Sequence, residues 1–450
     1  MRHIHLPLGS AIRILSIVAG LVSSTAAFVL KPAQQSLSKK SALFSAISAT
    51  TREESSSLAY ELICGDVAWN TLIGEADRSL RLGIELERSG QARAASAALH
   101  EAATLYQCFL DSEEDFAHVT ALLTEDCPAV LAYLCIRLGF LNLDALGDAN
   151  AAVRLYKEAS QIDSVPSPFS YEGFAVALEG SGGGQNLEPA LEAYQKASQL
   201  DPSLKKTQFN MAVVLDRLGR TDEAEPIFEQ IRRSESHISC KLDSWGYVRW
   251  HTRKIPDEEL NVQRGTYDML KIALQAAMPL IKEGGLVCEF GVGSGRSIRM
   301  TQELLPLDVT IHGFDTFTGL PQAWGNEPKG AYSTGGVIPK IEGNVFFHQG
   351  LFSDTIVPFL QSDYVDPDAV LAYANIDCDL YSSTLDILEG MSRRIVPGTI
   401  LIFDEYICHP SWRQDEFRAW RECCKRFGWK YEYLAFSLST KQTIVRVLEA

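Results

Sequence analysis

The sequence predicts an α-helical repeat array followed by a doubly wound α/β domain with a seven-stranded, mostly parallel sheet. Three observations carry that expectation: an octapeptide recurs in the middle of the chain, short apolar runs alternate with amphipathic stretches from about Cys240 onward, and the last two apolar runs flank a short turn. The 450 residues leave room for two to four domains at roughly 100 to 200 residues each. We divide them into 1–52, 53–235 and 236–450. The 57 acidic and 41 basic residues give a formal charge of −16, which opposes long-range attraction to nucleic acid or an anionic membrane, and neither is expected as a partner. The ten cysteines include no C-x-x-C pair and no regular His partner, so neither a zinc site nor a disulfide framework is expected.

Residues 1–52 read as an address. Arg2, Arg13, Lys31, Lys39, Lys40 and Arg52 precede the first acid, Glu53. Ile14 to Val22 is a short apolar core followed by Ser23-Ser24-Thr25-Ala26-Ala27, small residues of the kind signal peptidase requires. That run is too short for a stable membrane span in the mature chain. Lys31 to Arg52 is basic, rich in Ser and Thr and free of acids, like a transit peptide. The Ala27-Phe28 junction resembles bipartite plastid presequences of algae with secondary plastids, which implies a plastid destination. A simple secretory signal or signal anchor is the alternative, and a reducing compartment suits the cysteines better than the cell exterior.

Self-similarity extends from about Ala76 to Arg233. Tyr156 to Asp163 (YKEASQID) recurs as Tyr194 to Asp201 (YQKASQLD), an offset of 38, and Phe228 follows at 34. Leu218-Gly219, Ala224 and Asp201-Pro202 fall where a helix-turn-helix unit needs them, and these residues resemble tetratricopeptide repeats. Small residues such as Gly173, Ala177, Ala190 and Ala212 let paired helices approach, and Tyr156, Tyr194 and Phe228 fill the gap to the next pair. Ser181-Gly182-Gly183-Gly184 accounts for the longer unit and reads as a flexible insertion. An earlier, degenerate unit is expected over Ala76 to Tyr106, with a less regular pair around Pro128 to Leu143. Such stacks present a groove to a peptide or partner protein; dimerisation or buttressing of the next domain is the alternative.

In the last domain, Gly285 to Phe290 is an apolar run that feeds Gly291-Val292-Gly293-Ser294-Gly295-Arg296 and then a helix, the start of a nucleotide site. Asp315 ends the second run, 20 positions after the last glycine. An acid at that distance would also suit a dinucleotide's ribose. The loop is G-x-G-x-G rather than G-x-G-x-x-G, however, and Glu289 stands two positions before its first glycine. This combination resembles motif I of class I S-adenosylmethionine-dependent methyltransferases. The resemblance implies a cofactor site of Glu289, Gly291, Gly293, Gly295 and Asp315, with the glycines passing under the methionine part of the cofactor and Glu289 near its amino end.

Val370 to Ile376 ends in Asp377-Cys378-Asp379-Leu380-Tyr381, and Thr399 to Phe403 in Asp404-Glu405-Tyr406. Neighbouring parallel strands lie about 4.8 Å apart, so these acids converge at the sheet's ligand-binding edge, where three carboxylates would suit Mg²⁺. With Phe314 to Pro321, Gly350 to Thr355 and Pro397-Gly398, they resemble the macrocin-type O-methyltransferase family over roughly Gly284 to Leu448. That resemblance implies methylation of a small-molecule or glycan hydroxyl, Mg²⁺ held by Asp377, Asp404 and Glu405, and Asp377 as base. The Asp-Glu pair departs from the family's common Asp-Asp.

The segment Trp324 to Asn344, rich in Gly and Pro, is expected to cover the substrate. Trp245, Trp250 and His251, with Arg253 and Lys254, are candidates for a lid, or for aromatic packing against the repeats. His409 is the fallback base, although for it and for His348 a satisfied or exposed histidine is the commoner outcome. Gln414 to Phe427 reads as a core-facing helix, and Tyr431 to Phe436 with Gln442 to Leu448 as a terminal hairpin. Two rivals stand beside the small-molecule reading: a repeat-based scaffold with a vestigial catalytic fold, and a protein methyltransferase.

Overall fold

The computed structural model describes residues 69–110, 127–162, 167–233 and 238–450, and the expected address at 1–52 lies outside them. The helical region runs α1 (Trp69–Arg88), α2 (Ala92–Leu110), α3 (Cys127–Asp144), α4 (Ala149–Gln161), α5 (Pro168–Gly182), α6 (Leu187–Leu200), α7 (Lys205–Arg217) and α8 (Thr221–Arg232). Consecutive helices pack against one another, and several of their starts are specified locally. Asp148 accepts a hydrogen bond from Ala151 N at 2.8 Å to open α4, and Pro168 begins α5 where its missing N–H costs nothing. Tyr156 is buried between two glycines: a Cβ on Gly139 would lie 2.8 Å from its ring, and one on Gly173 2.1 Å. The small-against-large logic expected of the repeats therefore operates at this joint.

The Ser181–Gly184 insertion is not the flexible loop expected. Residues Gly183–Asn186 form a 3₁₀ turn against which a later segment is laid, and a Cβ on Gly184 would come within 2.2 Å of Glu258 Cα. Glycine is there for close backbone approach. The segment 253–265 that presses on it follows α9 (Ser239–Thr252) and is pinned from both sides. Arg217, fully buried and paired with Glu179 at 2.8 Å, donates to Asp257 O and Leu260 O, and Asn261 donates to Gly180 O. On the other side Leu438 N donates to Val262 O and Ser437 Oγ to Arg264 O.

Helix α10 (Thr266–Lys282) leads into a seven-stranded sheet: β1 (Leu286–Phe290), β2 (Ile311–Asp315), β3 (Val345–Gln349), β4 (Leu371–Ile376), β5 (Ile400–Phe403), β6 (Lys430–Phe436) and β7 (Thr443–Glu449). Its order is β3-β2-β1-β4-β5-β7-β6, with β1 to β5 parallel and β7 antiparallel to both neighbours. Helices α11 (Arg296–Leu304), α12 (Phe352–Leu360), α13 (Tyr381–Gly390) and α14 (Glu416–Phe427) complete the domain. Every residue of β1, β4 and β5 is buried, as parallel strands covered on both faces require. The strand order reverses between β1 and β4, which opens a crevice at their carboxyl ends. Among the described residues no helix is long and apolar enough to cross a membrane.

Candidate active site at the carboxyl edge of the sheet

The loop after β1 turns through three left-handed glycines, Gly291 (φ 93°), Gly293 (φ 52°) and Gly295 (φ 82°). A Cβ on Gly291 would overlap Asp377 O at 1.7 Å, whereas one on Gly293 would meet nothing within 4 Å. The loop is thus wedged onto β4 below and open above. Asp315 clasps it: one carboxylate oxygen accepts from Val292 N (2.8 Å) and Gly293 N (2.7 Å), the other from Phe317 N (2.6 Å). Glu289 lies fully buried beneath, accepting from Ser297 Oγ (2.9 Å) and Asn375 Nδ2 (3.3 Å), and burial pushes its carboxyl up to about 8. It ties β1 to α11 and β4.

The acids gather beside this loop because the sheet register continues past the strand ends. Asp377 N donates to Phe290 O and Asp404 N to Ile376 O, so Asp377 and Asp404 sit side by side. Asp379 joins them from a left-handed backbone (φ 62°) and Glu416 from the start of α14, fully buried, accepting from Glu405 N at 3.1 Å while its other oxygen has no partner. Burial first, and neighbouring carboxylates second, hold Asp377 well above the usual range. Burial also raises Asp404, Asp379 and Glu405, the last two to about 7.

The expected metal triad of Asp377, Asp404 and Glu405 is not formed as a metal site. Among the described residues no group of three or more His, Cys, Asp or Glu is placed to hold an ion. The reason is a competing cation: Lys441 Nζ donates to both oxygens of Glu405 (2.7 and 2.9 Å), and Gln442 Nε2 donates to Asp404 Oδ1 (2.7 Å). Lys441 reaches in from the β6–β7 turn with a left-handed φ of 67°. As arranged, these residues do not fit a divalent cation.

His409 is buried and neutral, with Nε2 at 2.7 Å from Glu405 O and its ring pushed down to about 4 by burial. It supports the turn and is poorly suited to act as a base. His348 meets His312 across β2 and β3 at 3.2 Å, within the sheet. Trp245 is buried and donates to Asp216 Oδ2 of α7 at 3.1 Å, so of its two readings packing against the helical region holds; Trp250 is exposed and carries Arg253 over its ring. The segment Trp324 to Asn344 runs across the crevice: Trp324 Nε1 donates to Asp415 Oδ2 at one end, and Pro339 lies against Gly295 at the other. Tyr332, left-handed (φ 64°), keeps more than half of its surface exposed; partial desolvation first, then the charges of Asp379, Glu327, Glu405 and Asp377, raise its phenol to about 12.

Residues 340–426 match the family model of the macrocin-O-methyltransferases (TylF). The match lies within the C-terminal α/β domain, from the end of the Trp324–Asn344 segment to α14. Solved structures similar to the chain include the calicheamicin methyltransferase CalS11, at 22% identity over 39% of this chain and 77% of that one with a TM-score of 0.32. The O-methyltransferase NovP is 21% identical over 45% of this chain and 88% of its own, with a TM-score of 0.32. TomG of Streptomyces achromogenes, solved in complex with SAM, is 13% identical over 48% and 91%, with a TM-score of 0.27. No curated protein matches the chain. Within the C-terminal domain, Lys441, Gln442 and Glu416 are residues of the carboxylate cluster that the sequence does not advertise. They come from a turn and a helix start with no motif of their own.

Proposed function

We propose that the chain transfers the methyl group of S-adenosylmethionine to a hydroxyl of a small molecule or sugar. The observation that carries this reading is the open loop of Gly291, Gly293 and Gly295, clasped by Asp315 and adjoining a carboxylate cluster, in a domain whose residues 340–426 match the macrocin-O-methyltransferase model. The chemistry of the donor set fits the cofactor: Asp377, Asp379, Asp404, Glu405 and Glu416 face one lysine, and a cationic ligand set among these raised carboxyls would be bound more tightly as they give up their protons. When bound, the cofactor supplies an electrophilic methyl group on a sulfonium.

The residues of the chain do the rest. The glycine loop and Asp315 set the cofactor's position, with Glu289 holding the loop from below. Asp377 accepts the hydroxyl proton at its carboxylate, and its raised affinity for a proton makes it a stronger base once ionised. Asp379, at about 7, is poised to share that proton. Alignment contributes several kcal/mol by itself. The helical region, read as tetratricopeptide-like, buttresses the methyltransferase domain, and residues 1–52 direct the chain to a plastid.

Calorimetric titration of S-adenosylmethionine into the full chain and an Asp315→Ala variant tests the reading, followed by labelled-methyl transfer to a panel of sugars and phenols. Micromolar binding lost in the variant, with label on a hydroxyl, is expected. An unchanged chain that binds no cofactor would sink the proposal.

A further inference from the structure

The helical region reaches the cofactor loop directly. Arg296, the first helical residue after Gly295, forms an ion pair with Asp144 at the end of α3, and the same aspartate accepts from Thr266 N (3.0 Å) and Thr266 Oγ1 (2.9 Å) at the start of α10. Asp144 is buried while Arg296 keeps about a third of its side chain exposed, 34%. The contact is built into the backbone on both sides. A Cβ on Gly90, in the α1–α2 turn, would lie 2.9 Å from Arg296 Cα, and one on Gly265 2.0 Å from Leu143 O. Arg93 of α2 pairs with Glu303 at the far end of α11. Helix α11 therefore starts and ends against the helical region.

A guanidinium has five N–H donors, and one carboxylate cannot use them all. Arg296 directly follows the last glycine of the loop, and its charge lowers the proton affinity of Asp404 in the carboxylate cluster. A ligand whose cationic centre faces the acids and whose anionic end faces this arginine would meet complementary charge at both ends. The methionyl half of S-adenosylmethionine has that polarity, a sulfonium and an α-carboxylate.

We propose that Arg296, held in place by Asp144 of the helical region, receives the cofactor's α-carboxylate, so that the helical region completes the cofactor site rather than serving only as an attachment. The inference rests on the methyltransferase reading and deepens it. Arg296 is the binding residue, and Asp144 acts through it as a positioning residue. A forked carboxylate–guanidinium bond is strong and directional, so its loss is selective for ligands that carry the carboxylate.

The test uses the full chain and two nucleosides: S-adenosylhomocysteine, which has the carboxylate, and methylthioadenosine, which lacks the amino-acid end. Arg296→Met is expected to weaken the first by about tenfold to a hundredfold and to leave the second within about twofold. Arg296→Lys should recover part of the loss, and Asp144→Asn should show the same selectivity with a smaller effect. Equal losses for both nucleosides, or no loss for either, would overturn the clamp. If the unchanged chain binds neither nucleoside, the methyltransferase reading falls and the clamp with it; if it binds both and Arg296→Met does not discriminate, only the clamp falls.

Discussion

Glu289 sits fully buried under the glycine loop with its carboxyl raised from 4.5 to about 8. The folded state keeps a proton there that the unfolded state releases, so the stabilising contribution is complete below about pH 4.5 and is lost as pH rises through about 8. Glu289→Gln keeps the acceptor for Ser297 and, with the Asn375 amide turned over, donates to Asn375 Oδ1, which otherwise has no partner. Melting curves at pH 5 and pH 8.5 should show a smaller drop for the variant than for the unchanged chain; parallel drops would mean that the carboxyl ionises freely in the fold. A second titration concerns the ligand. Asp379 and Glu405 both lose protons near pH 7, so affinity for the sulfonium cofactor should rise from pH 6 to pH 8, and affinity for its neutral thioether product should change less. Equal pH dependence for the two, measured by calorimetry, would count against a cation resting on the acids. The sequence makes these residues visible to different degrees. Glu289, the glycines and Asp315 belong to one strand–loop–helix–strand unit with a recognisable spacing, and Asp377, Asp404 and Glu405 mark strand ends. Lys441 lies 36 positions beyond Glu405 in a turn whose sequence announces only a turn, and its ion pair decides that the triad does not open to a metal.

Helix pairing in the first region is legible because Tyr156 and Tyr194 repeat with their small partners, and the sheet is legible because β1, β4 and β5 are short, wholly apolar runs ending in acids. The segment 253–265 and the turn at Gly184 are not legible, since a Ser-Gly-Gly-Gly run signals freedom unless something is known to press on it. What presses on it is held by Arg217. That arginine and Glu179 are both almost wholly buried, Tyr194 OH donates to the same glutamate at 2.9 Å, and burial raises the Glu179 carboxyl to about 7 despite its partner. Arg217→Met removes the partner and two backbone anchors at once and leaves a buried carboxyl uncompensated. A loss of roughly 3–5 kcal/mol in denaturant unfolding is expected. A much smaller loss would show that Glu179 takes up a proton at little cost. Gly184→Val should also destabilise, because its side chain would collide with Glu258 backbone rather than with a movable side chain.

Across the helical region and the C-terminal α/β domain, the boundary between the two is a shared interior. Helix α9 shows this most directly: Trp245 bonds back to Asp216 of α7, Tyr247 OH meets Tyr433 OH of β6 at 2.5 Å, and Ser244 Oγ accepts from Cys408 N just past β5. The segment after it is sandwiched between α5 and the β6–β7 turn, and that turn carries Lys441 and Gln442 to Glu405 and Asp404. A chain of contacts therefore joins the first region to the carboxylates. A fragment spanning 239–450 should lose the cover over Trp245, Val262 and Arg296 together, exposing apolar surface that the full chain buries. The expected outcome is a fragment that aggregates, or that melts roughly 10 °C or more below the full chain and binds S-adenosylhomocysteine weakly. A fragment with an unchanged midpoint and unchanged affinity would show that the helices are a separable appendage, and would return the partner-binding reading to first place. The distinction matters for function because a buttress built into the cofactor loop transmits any load on the helices to the site, whereas an appendage only brings a partner near it.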